Sequence, residues 1–246
     1  MSFKDHFSTQ AATYAKARPT YPAALFAELA RLAPGQALAW DAGTGNGQAA
    51  VALAPHFERV IATDPSSAQL AQAVAHPKVG YHLADETAPM IAAGSVDLIT
   101  VAQAAHWFDR PKFYLEVRRV LRPGGVVALW TYGLSKITPE IDEAVLRFYS
   151  GPIGPYWPAE RHHPETGYRE LDFEFPEEAF PKAAMELEWT MPEFTHFLRS
   201  WSAVARFIKA NGHDPVPALE VELARLWGPA ARKVAWPLAG RLGRVL

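Results

Sequence analysis

The sequence predicts an α/β protein with a doubly wound, mostly parallel sheet. In the first half of the chain, stretches of helical periodicity separate short apolar runs four times over, which predicts four helical crossovers. Three of these runs end in an acid, at or near Asp41, Asp64 and Asp85. Because helical connections between strands make right-handed crossovers, the strands are parallel and their carboxyl ends lie along one rim. Open α/β sheets bind ligands at that rim, so we expect the functional site there.

Local pattern predicts the elements of the core. A helix over 23–33 ends at Pro34-Gly35, since proline and glycine stop helices. Pro65, with the capping hydroxyl of Ser66 or Ser67, starts a helix after the second strand. The predicted strands are residues 38–40, 60–64, 79–83, 96–101 and 126–130, and the other core helices are 48–54 and 112–121.

The pattern changes after residue 131. Residues 151–181 are rich in proline, glycine, histidine and aromatic residues with little periodicity, which predicts a long irregular loop. The other predicted elements are a helix over 139–149, a strand over 184–190, helices over 192–210 and 216–226, and a short last strand over 233–238.

Composition is typical of a soluble globular protein. Of the 246 residues, 49% are hydrophobic and 20% are charged, and the net charge is −2. This balance gives no electrostatic reason to bind nucleic acid or an anionic membrane. The absence of cysteine excludes disulfides, thiolate nucleophiles and cysteine-ligated zinc. No stretch has the pattern of a membrane span or a secretion signal, so we expect a cytoplasmic protein.

A glycine turn, residues 43–47, follows the first strand, and charge indicates which ligand suits it. A dinucleotide fingerprint has glycines at the first, third and sixth positions, but here the third glycine, Gly47, comes one place early. Asp41, Asp64 and Asp85 at neighbouring strand ends would repel a pyrophosphate. They suit a ligand with a cationic amino group, a sulfonium, ribose hydroxyls and an adenine amine, which is S-adenosylmethionine. Asp64 can accept hydrogen bonds from both ribose hydroxyls, and Asp85 from the adenine amine.

Five motifs occur in a fixed order along the first half of the chain. They are Trp40-Asp41-Ala42-Gly43-Thr44-Gly45-Asn46-Gly47, Thr63-Asp64, Ala84-Asp85, Val96-Asp97-Leu98-Ile99 and Leu121-Arg122-Pro123-Gly124-Gly125. Together they resemble the motifs of class I S-adenosylmethionine-dependent methyltransferases. The resemblance implies the Rossmann-like fold of that family, a seven-stranded sheet with an antiparallel last strand. It also implies S-adenosylmethionine as cofactor and S-adenosylhomocysteine as product.

Four further segments are more specific. They are Tyr14-Ala15-Lys16-Ala17-Arg18-Pro19-Thr20-Tyr21-Pro22, Gln103-Ala104-Ala105-His106-Trp107-Phe108-Asp109, Trp201-Ser202-Ala203-Val204 and Val234-Ala235-Trp236-Pro237-Leu238. They resemble the subgroup that contains trans-aconitate-type methyltransferases, whose members methylate varied small molecules. The resemblance therefore covers nearly the whole chain and implies a small-molecule acceptor.

This family places the predicted elements in one methyltransferase domain over residues 1–246. We expect a cofactor-binding core at 36–131 and an N-terminal lid helix within 1–34. Residues 137–181 and 191–228 would form a substrate lid. The expected assembly is a monomer or a homodimer.

The glycine turn and the acids are the expected cofactor contacts. The resemblance places Asp41 near the methionine end, although its carboxylate can also hold the turn by accepting hydrogen bonds from the N–H groups of the turn. Asp64 either binds the ribose or caps the helix that follows. Asp85 and Glu86 compete for the adenine amine. The other cofactor-binding candidates are Tyr14, Arg18, Gly43, Thr44, Gly45, Asn46, Gly47 and Gln103.

The acceptor is expected beside the turn after the fourth strand, which borders the methyl group in this fold. His106 is the candidate base for a hydroxyl or amine acceptor, and otherwise a structural histidine. Trp107 is either an aromatic wall for a sulfonium or part of the core. Arg161 and Arg169 either recognise a carboxylate or lie on a solvated surface. The predicted acceptor site comprises His106, Trp107, Arg161, Tyr168, Arg169 and Trp201.

The predicted reaction is an in-line displacement that carries a methyl group to a small molecule, with a carboxylate oxygen as a candidate nucleophile. Such an enzyme mainly aligns its reactants and excludes water. A carboxylate nucleophile needs no base. Two alternatives stay open at this stage, an NAD(P)-dependent oxidoreductase and a non-catalytic methyltransferase-like binding protein.

Overall fold

The computed structural model describes residues 19–158 and 162–245. Within these residues the chain forms eight strands. They are β1 (Leu38–Ala42), β2 (Arg59–Asp64), β3 (Val79–Leu83), β4 (Val96–Ala102), β5 (Leu121–Tyr132), β6 (Glu177–Glu178), β7 (Ala184–Trp189) and β8 (Arg232–Arg244). The predicted strands are thus all present. The first four agree closely with their predicted bounds, whereas β5 begins five residues before its predicted start at residue 126.

The strands form one sheet in the order β3-β2-β1-β4-β5-β8-β6, with β7 also paired to β8. Neighbours from β3 to β5 are parallel, whereas β8 is antiparallel to β5. The order turns back between β1 and β4, and that switch point is where open α/β sheets bind ligands. The predicted mostly parallel α/β fold with an antiparallel last strand is confirmed.

The edge of the sheet beyond β8 consists of two pieces. β6 pairs with residues 242–243 of β8, and β7 pairs with residues 232–237. Pro181 lies between β6 and β7 and has no N–H to donate to a ladder, so the edge is interrupted there. The predicted seven strand positions are therefore filled by eight strands.

Helices cover both faces of the sheet. They are α1 (Ala23–Leu32), α2 (Gln48–Leu53), α3 (Ser67–Leu70), α4 (Arg110–Val120), α5 (Pro139–Ser150), α6 (His162–Glu165), α7 (Met191–Arg199), α8 (Ser202–Asn211) and α9 (Val216–Trp227). Short 3-10 turns occur at Ala105–Trp107 and Gly154–Tyr156. Among the described residues, no helix has both the length and the apolar composition that a membrane crossing requires.

Two apolar clusters form the core, one on each face of the sheet. Alternate residues of β1 point to opposite faces, so Ala39 belongs to one cluster and Trp40 to the other. The cluster around Ala39 includes Trp130 and Trp236, and the cluster around Trp40 includes Phe113. This double burial explains why β1 is apolar at nearly every position.

Three expectations about the elements were wrong. The connection from β3 to β4, residues 84–95, contains no helix, so there are three helical crossovers rather than four. The predicted helix over 192–210 is two helices, since the chain turns at Ser200 and Trp201. β8 extends far beyond the predicted 233–238. A Cβ at its Gly240 would lie 2.4 Å from the Leu129 carbonyl oxygen, so glycine there permits a close strand approach that periodicity does not show.

Candidate functional site

The glycine turn after β1 follows a backbone path that favours glycine at three positions. Gly43, Gly45 and Gly47 have φ angles of +66°, +58° and +86°, where other residues are strained. A Cβ at Gly43 would lie 2.5 Å from the Cβ of Ala104, and one at Gly47 would lie 2.2 Å from the Tyr81 hydroxyl. A Cβ at Gly45 would have its nearest neighbour 3.9 Å away. Gly43 and Gly47 fit the turn to the protein, and Gly45 leaves room for a ligand.

Asp64, the last residue of β2, ties this turn to its neighbouring strand. One carboxylate oxygen accepts a hydrogen bond from the Gly45 N–H at 2.8 Å, and the other accepts from the Ser66 N–H at 2.8 Å. The cap of α3 is Ser66, whose hydroxyl accepts from the Gln69 N–H at 3.3 Å. The prediction that a serine caps α3 is therefore confirmed, and Asp64 is not the capping residue.

Backbone hydrogen bonds close the same turn. The Thr44 N–H donates to the Thr63 carbonyl at 2.9 Å, and the Gly47 N–H donates to the Thr44 carbonyl at 3.0 Å. The carbonyl of Asn46 accepts from the Val74 N–H at 3.3 Å. These bonds join the turn to β2 and to the segment after α3, so its shape is set before any ligand binds.

The carboxylate of Asp41 stabilises the glycine turn. It is fully buried, and its two carboxylate oxygens accept from the hydroxyls of Thr44 and Thr100, each at 2.6 Å. Asp41 therefore holds the turn, but through the hydroxyl of Thr44 in place of the expected N–H groups. Burial raises the pKa of Asp41 to about 6, although the two threonine hydroxyls oppose that rise.

This pKa makes stability depend on pH. Between about pH 4 and pH 6 the folded chain keeps a proton on Asp41 that the unfolded chain has released, so the free energy of unfolding falls as pH rises through this window. The variant Asp41→Asn lacks this titration. We expect its free energy of unfolding, relative to the wild type, to rise by about 2 kcal/mol between pH 4 and pH 7. Urea denaturation at both pH values measures the difference, and a constant difference would contradict it.

Asp85 follows β3 and is already paired. Its carboxylate accepts from Lys112 Nζ at 2.8 Å and from the hydroxyl and N–H of Thr87 at 2.6 and 2.9 Å. These hydrogen bonds, that of Lys112 foremost, lower the pKa of Asp85 to about 2. Lys112 also lies 3.2 Å from Glu86. The rim is therefore less negative than three unpaired acids would make it, and the repulsion predicted for a pyrophosphate is weaker.

The turn after β4 faces the glycine turn across the switch point. Gln103 has a φ of +61°, and its side-chain amide binds β5. Its Oε1 accepts from the Thr131 hydroxyl at 2.8 Å, and its Nε2 donates to the Tyr132 carbonyl at 3.4 Å. These bonds anchor the turn to β5 through the Gln103 amide.

His106 and Tyr168 form a pair across 62 residues of sequence. His106 Nδ1 lies 2.9 Å from the Tyr168 hydroxyl, and Tyr168 is fully buried. Trp107 lies beside His106, with ring centroids 4.8 Å apart, and is 40% exposed. The interpretation of Trp107 as a core residue is therefore wrong. A tryptophan face exposed at this rim can contact a ligand.

The remaining acceptor candidates lie in two places. Arg169 is exposed at the wall of a cavity of about 430 Å³, where its Nε donates to the Thr166 carbonyl at 3.0 Å. The cavity lies at the carboxyl end of β5, and its wall includes Gly133, Glu165, Phe180, Lys182 and Ala239. Trp201 packs instead against Tyr149 and Trp157, with ring centroids 5.8 and 5.6 Å apart. Tyr14, Arg18 and Arg161 lie outside the described residues.

Several residues of the site were missed by sequence reasoning. Tyr81 closes the space beside Gly47, Thr100 braces Asp41, and Lys182 lines the cavity. A threonine inside the run 98–101, which is otherwise apolar, was a usable signal for Thr100, because a buried hydroxyl needs a partner. Lys182 and Tyr81 gave no such signal, because their roles depend on contacts between distant segments.

Comparison with known proteins completes the description of the site. Residues 40–129 match a family described as a methyltransferase domain. The chain is 36% identical over 229 residues to a Dictyostelium discoideum protein described as a methyltransferase, across 92% of this chain and 87% of that protein. It is also 45% identical to an Anaeromyxobacter dehalogenans protein of solved structure, described as a type II methyltransferase. The two structures have a TM-score of 0.89 over 93% of this chain and 98% of that one. A Saccharomyces cerevisiae protein, an assigned S-adenosylmethionine-dependent methyltransferase, is 31% identical over 134 residues, 50% of this chain and 45% of that protein.

Proposed function

Because the chain belongs to the class I S-adenosylmethionine-dependent methyltransferases, we propose that its acceptor is a small anionic molecule methylated on a carboxylate oxygen. The observation that carries this proposal is the cavity at the carboxyl end of β5, where the positive charges of Arg169 and Lys182 outnumber the single carboxylate that the described residues place in the wall, that of Glu165. A guanidinium and an ammonium at one wall favour a carboxylate over a neutral or cationic group.

The residues around the glycine turn fit S-adenosylmethionine. Gly45 has no Cβ to block the approach, and a Cβ there would point into open space. Asp64 ends β2 beside this turn, where its carboxylate accepts from the N–H of Gly45 itself at 2.8 Å. We therefore assign the ribose hydroxyls to Asp64. Asp41 acts one step removed, since it holds Thr44 and Thr100 in place beneath the turn.

The chemistry asks the protein for alignment more than for proton transfer. S-adenosylmethionine, when bound, supplies an electrophilic methyl group on a sulfonium. Arg169 and Lys182 would hold the acceptor carboxylate, and the exposed ring of Trp107 would shield the reacting centre from water. An ionised carboxylate has no proton to lose, so the proposed reaction needs no general base.

A screen of small mono-, di- and tricarboxylic acids for production of S-adenosylhomocysteine tests the proposal, with phenols and amines in parallel. We expect turnover with at least one acid. Turnover with phenols or amines and none with acids would contradict the carboxylate assignment while leaving the methyltransferase activity intact.

Neutralising Arg169 gives the matching prediction. We expect Arg169→Gln to raise the KM for the acid about tenfold or more with little change in kcat, because the charge serves binding in ground and transition state alike. Lys209→Gln is the control, since Lys209 is exposed on α8 and does not line the cavity. Equal effects of the two substitutions on KM would show that Arg169 acts only through overall charge.

A further inference from the structure

Backbone strain in the described residues is concentrated next to His106. In residues 19–158 and 162–245 two residues other than glycine have positive φ angles, Gln103 at +61° and Tyr168 at +63°. Gln103 begins the turn that carries His106, and Tyr168 contacts its ring. Left-handed backbone at a bulky residue is unfavourable and persists where the surrounding structure enforces it, often at functional sites.

The structure shows what holds Tyr168 in this conformation. Gly167 before it is also left-handed, and a Cβ there would lie 2.7 Å from the Cβ of Ala239 on β8. Arg241 of β8 donates from Nη1 to the carbonyls of Tyr168 and Leu171, at 3.3 and 2.7 Å. The close approach of Gly167 and the hydrogen bonds of Arg241 thus fix the turn at Tyr168 against β8, and this sets the position of the Tyr168 hydroxyl.

The hydrogen bond between Tyr168 and His106 has a preferred direction of donation. A phenol hydroxyl, with a pKa near 10, is a much stronger acid than a neutral imidazole N–H, and an imidazole nitrogen is a better base than a phenol oxygen. The favoured bond runs from the Tyr168 hydroxyl to His106 Nδ1, which is 2.9 Å away. A neutral imidazole that accepts at one nitrogen carries its proton on the other.

We propose that Tyr168 is a positioning residue that holds His106 as the Nε2–H tautomer, so that His106 offers the acceptor a hydrogen-bond donor and does not act as a general base. The inference rests on the proposed function for its substrate, since a carboxylate acceptor needs donors and has no proton to remove. It replaces the hypothesis that His106 is a base, and it gives the strained backbone at Tyr168 a role beyond filling the core.

Nitrogen-15 NMR of the full chain, labelled at its nine histidines and bound to S-adenosylhomocysteine, tests the tautomer directly. His106→Gln assigns the His106 signals by their loss. At a pH where His106 is neutral, we expect the wild type to show a protonated Nε2 and an unprotonated, hydrogen-bonded Nδ1. A protonated Nδ1 in the wild type would overturn the proposal without any variant, and whether or not the chain methylates acids.

Two tyrosine variants separate positioning from packing. Tyr168→Phe keeps the ring and removes the hydroxyl, and we expect the Nδ1 signal to shift and a mixture of tautomers to appear. Tyr114→Phe is the matched control. Tyr114 belongs to the same apolar cluster as Tyr168, and its hydroxyl donates to the carbonyl of Asp172, four residues after Tyr168, at 2.5 Å. Tyr114→Phe should leave the His106 signals unchanged. An unshifted spectrum in Tyr168→Phe, or equal shifts in both variants, would overturn the assignment.

Activity gives a second readout once an acid has supported turnover. We expect Tyr168→Phe to lower kcat by about 3- to 10-fold, the effect of one lost hydrogen bond, with an unchanged KM for S-adenosylmethionine. His106→Gln keeps an N–H donor and should retain more activity than His106→Ala. Equal activities of the two His106 variants would contradict a donor role.

Discussion

Asp64→Ala is expected to weaken the binding of S-adenosylhomocysteine by about 1.5–3 kcal/mol, the range for hydrogen bonds to a charged group. The carboxylate lies at the end of β2 and already orients the glycine turn through the Gly45 N–H at 2.8 Å. Its loss would remove the proposed acceptor for the ribose hydroxyls and loosen the turn. Isothermal titration calorimetry of the folded variant measures the change.

Asp97→Ala is the matched control for Asp64→Ala. Asp97 is also a buried carboxylate that accepts from backbone, here from the N–H groups of Ala37 and Leu38 at 2.9 and 3.0 Å. It lies at the opposite end of the strands, where β4 begins. Asp97→Ala should reduce stability and leave the affinity of the folded protein unchanged. If Asp64→Ala binds as tightly as the wild type, Asp64 serves only to brace the turn.

Gly45→Val is expected to reduce affinity for S-adenosylhomocysteine by roughly 100-fold, equivalent to about 2.8 kcal/mol. The added side chain would project into the open space beside the turn, where we place the ligand. The left-handed backbone adds strain of about 1–3 kcal/mol to the folded state. Calorimetry at a temperature where circular dichroism shows the variant to be folded separates the two effects.

Gly94→Val provides a control with the same kind of strain. Gly94 has a φ of +63°, close to the +58° of Gly45, and a Cβ there would meet no atom within 4 Å. It lies in the β3–β4 connection just before β4 begins, away from the glycine turn. We expect Gly94→Val to lose comparable stability and to keep its affinity. Loss of affinity in both variants would mean that strain, not steric exclusion, accounts for the result at Gly45.

Much of the first half of the fold could be predicted because its signals are local. The strand over 79–83 has the predicted bounds, and Ser66 caps α3 as its sequence position indicates. The second half depends on contacts between distant segments. β8 continues to Arg244 because Gly240 lets β5 approach closely, and a glycine in an isolated sequence equally predicts a turn.

In the candidate site, too, the local features could be predicted and the contacts between distant segments could not. The carboxylates at the ends of β1 and β2 could be predicted because each directly follows a buried apolar run. The different surroundings of the two carboxylates could not be predicted. Asp41 is enclosed by Thr44 and Thr100, whereas Asp64 lies beside Gly45. Periodicity likewise carries no information about a pair such as His106 and Tyr168, which a strained turn brings together.

Calorimetric titration of the wild-type chain with S-adenosylhomocysteine, and separately with NADH, tests the central claim most directly. The claim is that the open face of the turn at Gly45, beside Asp64, binds the cofactor of a methyltransferase. We predict binding of S-adenosylhomocysteine with a micromolar Kd and no detectable binding of NADH. Binding of NADH with none of S-adenosylhomocysteine would contradict the account.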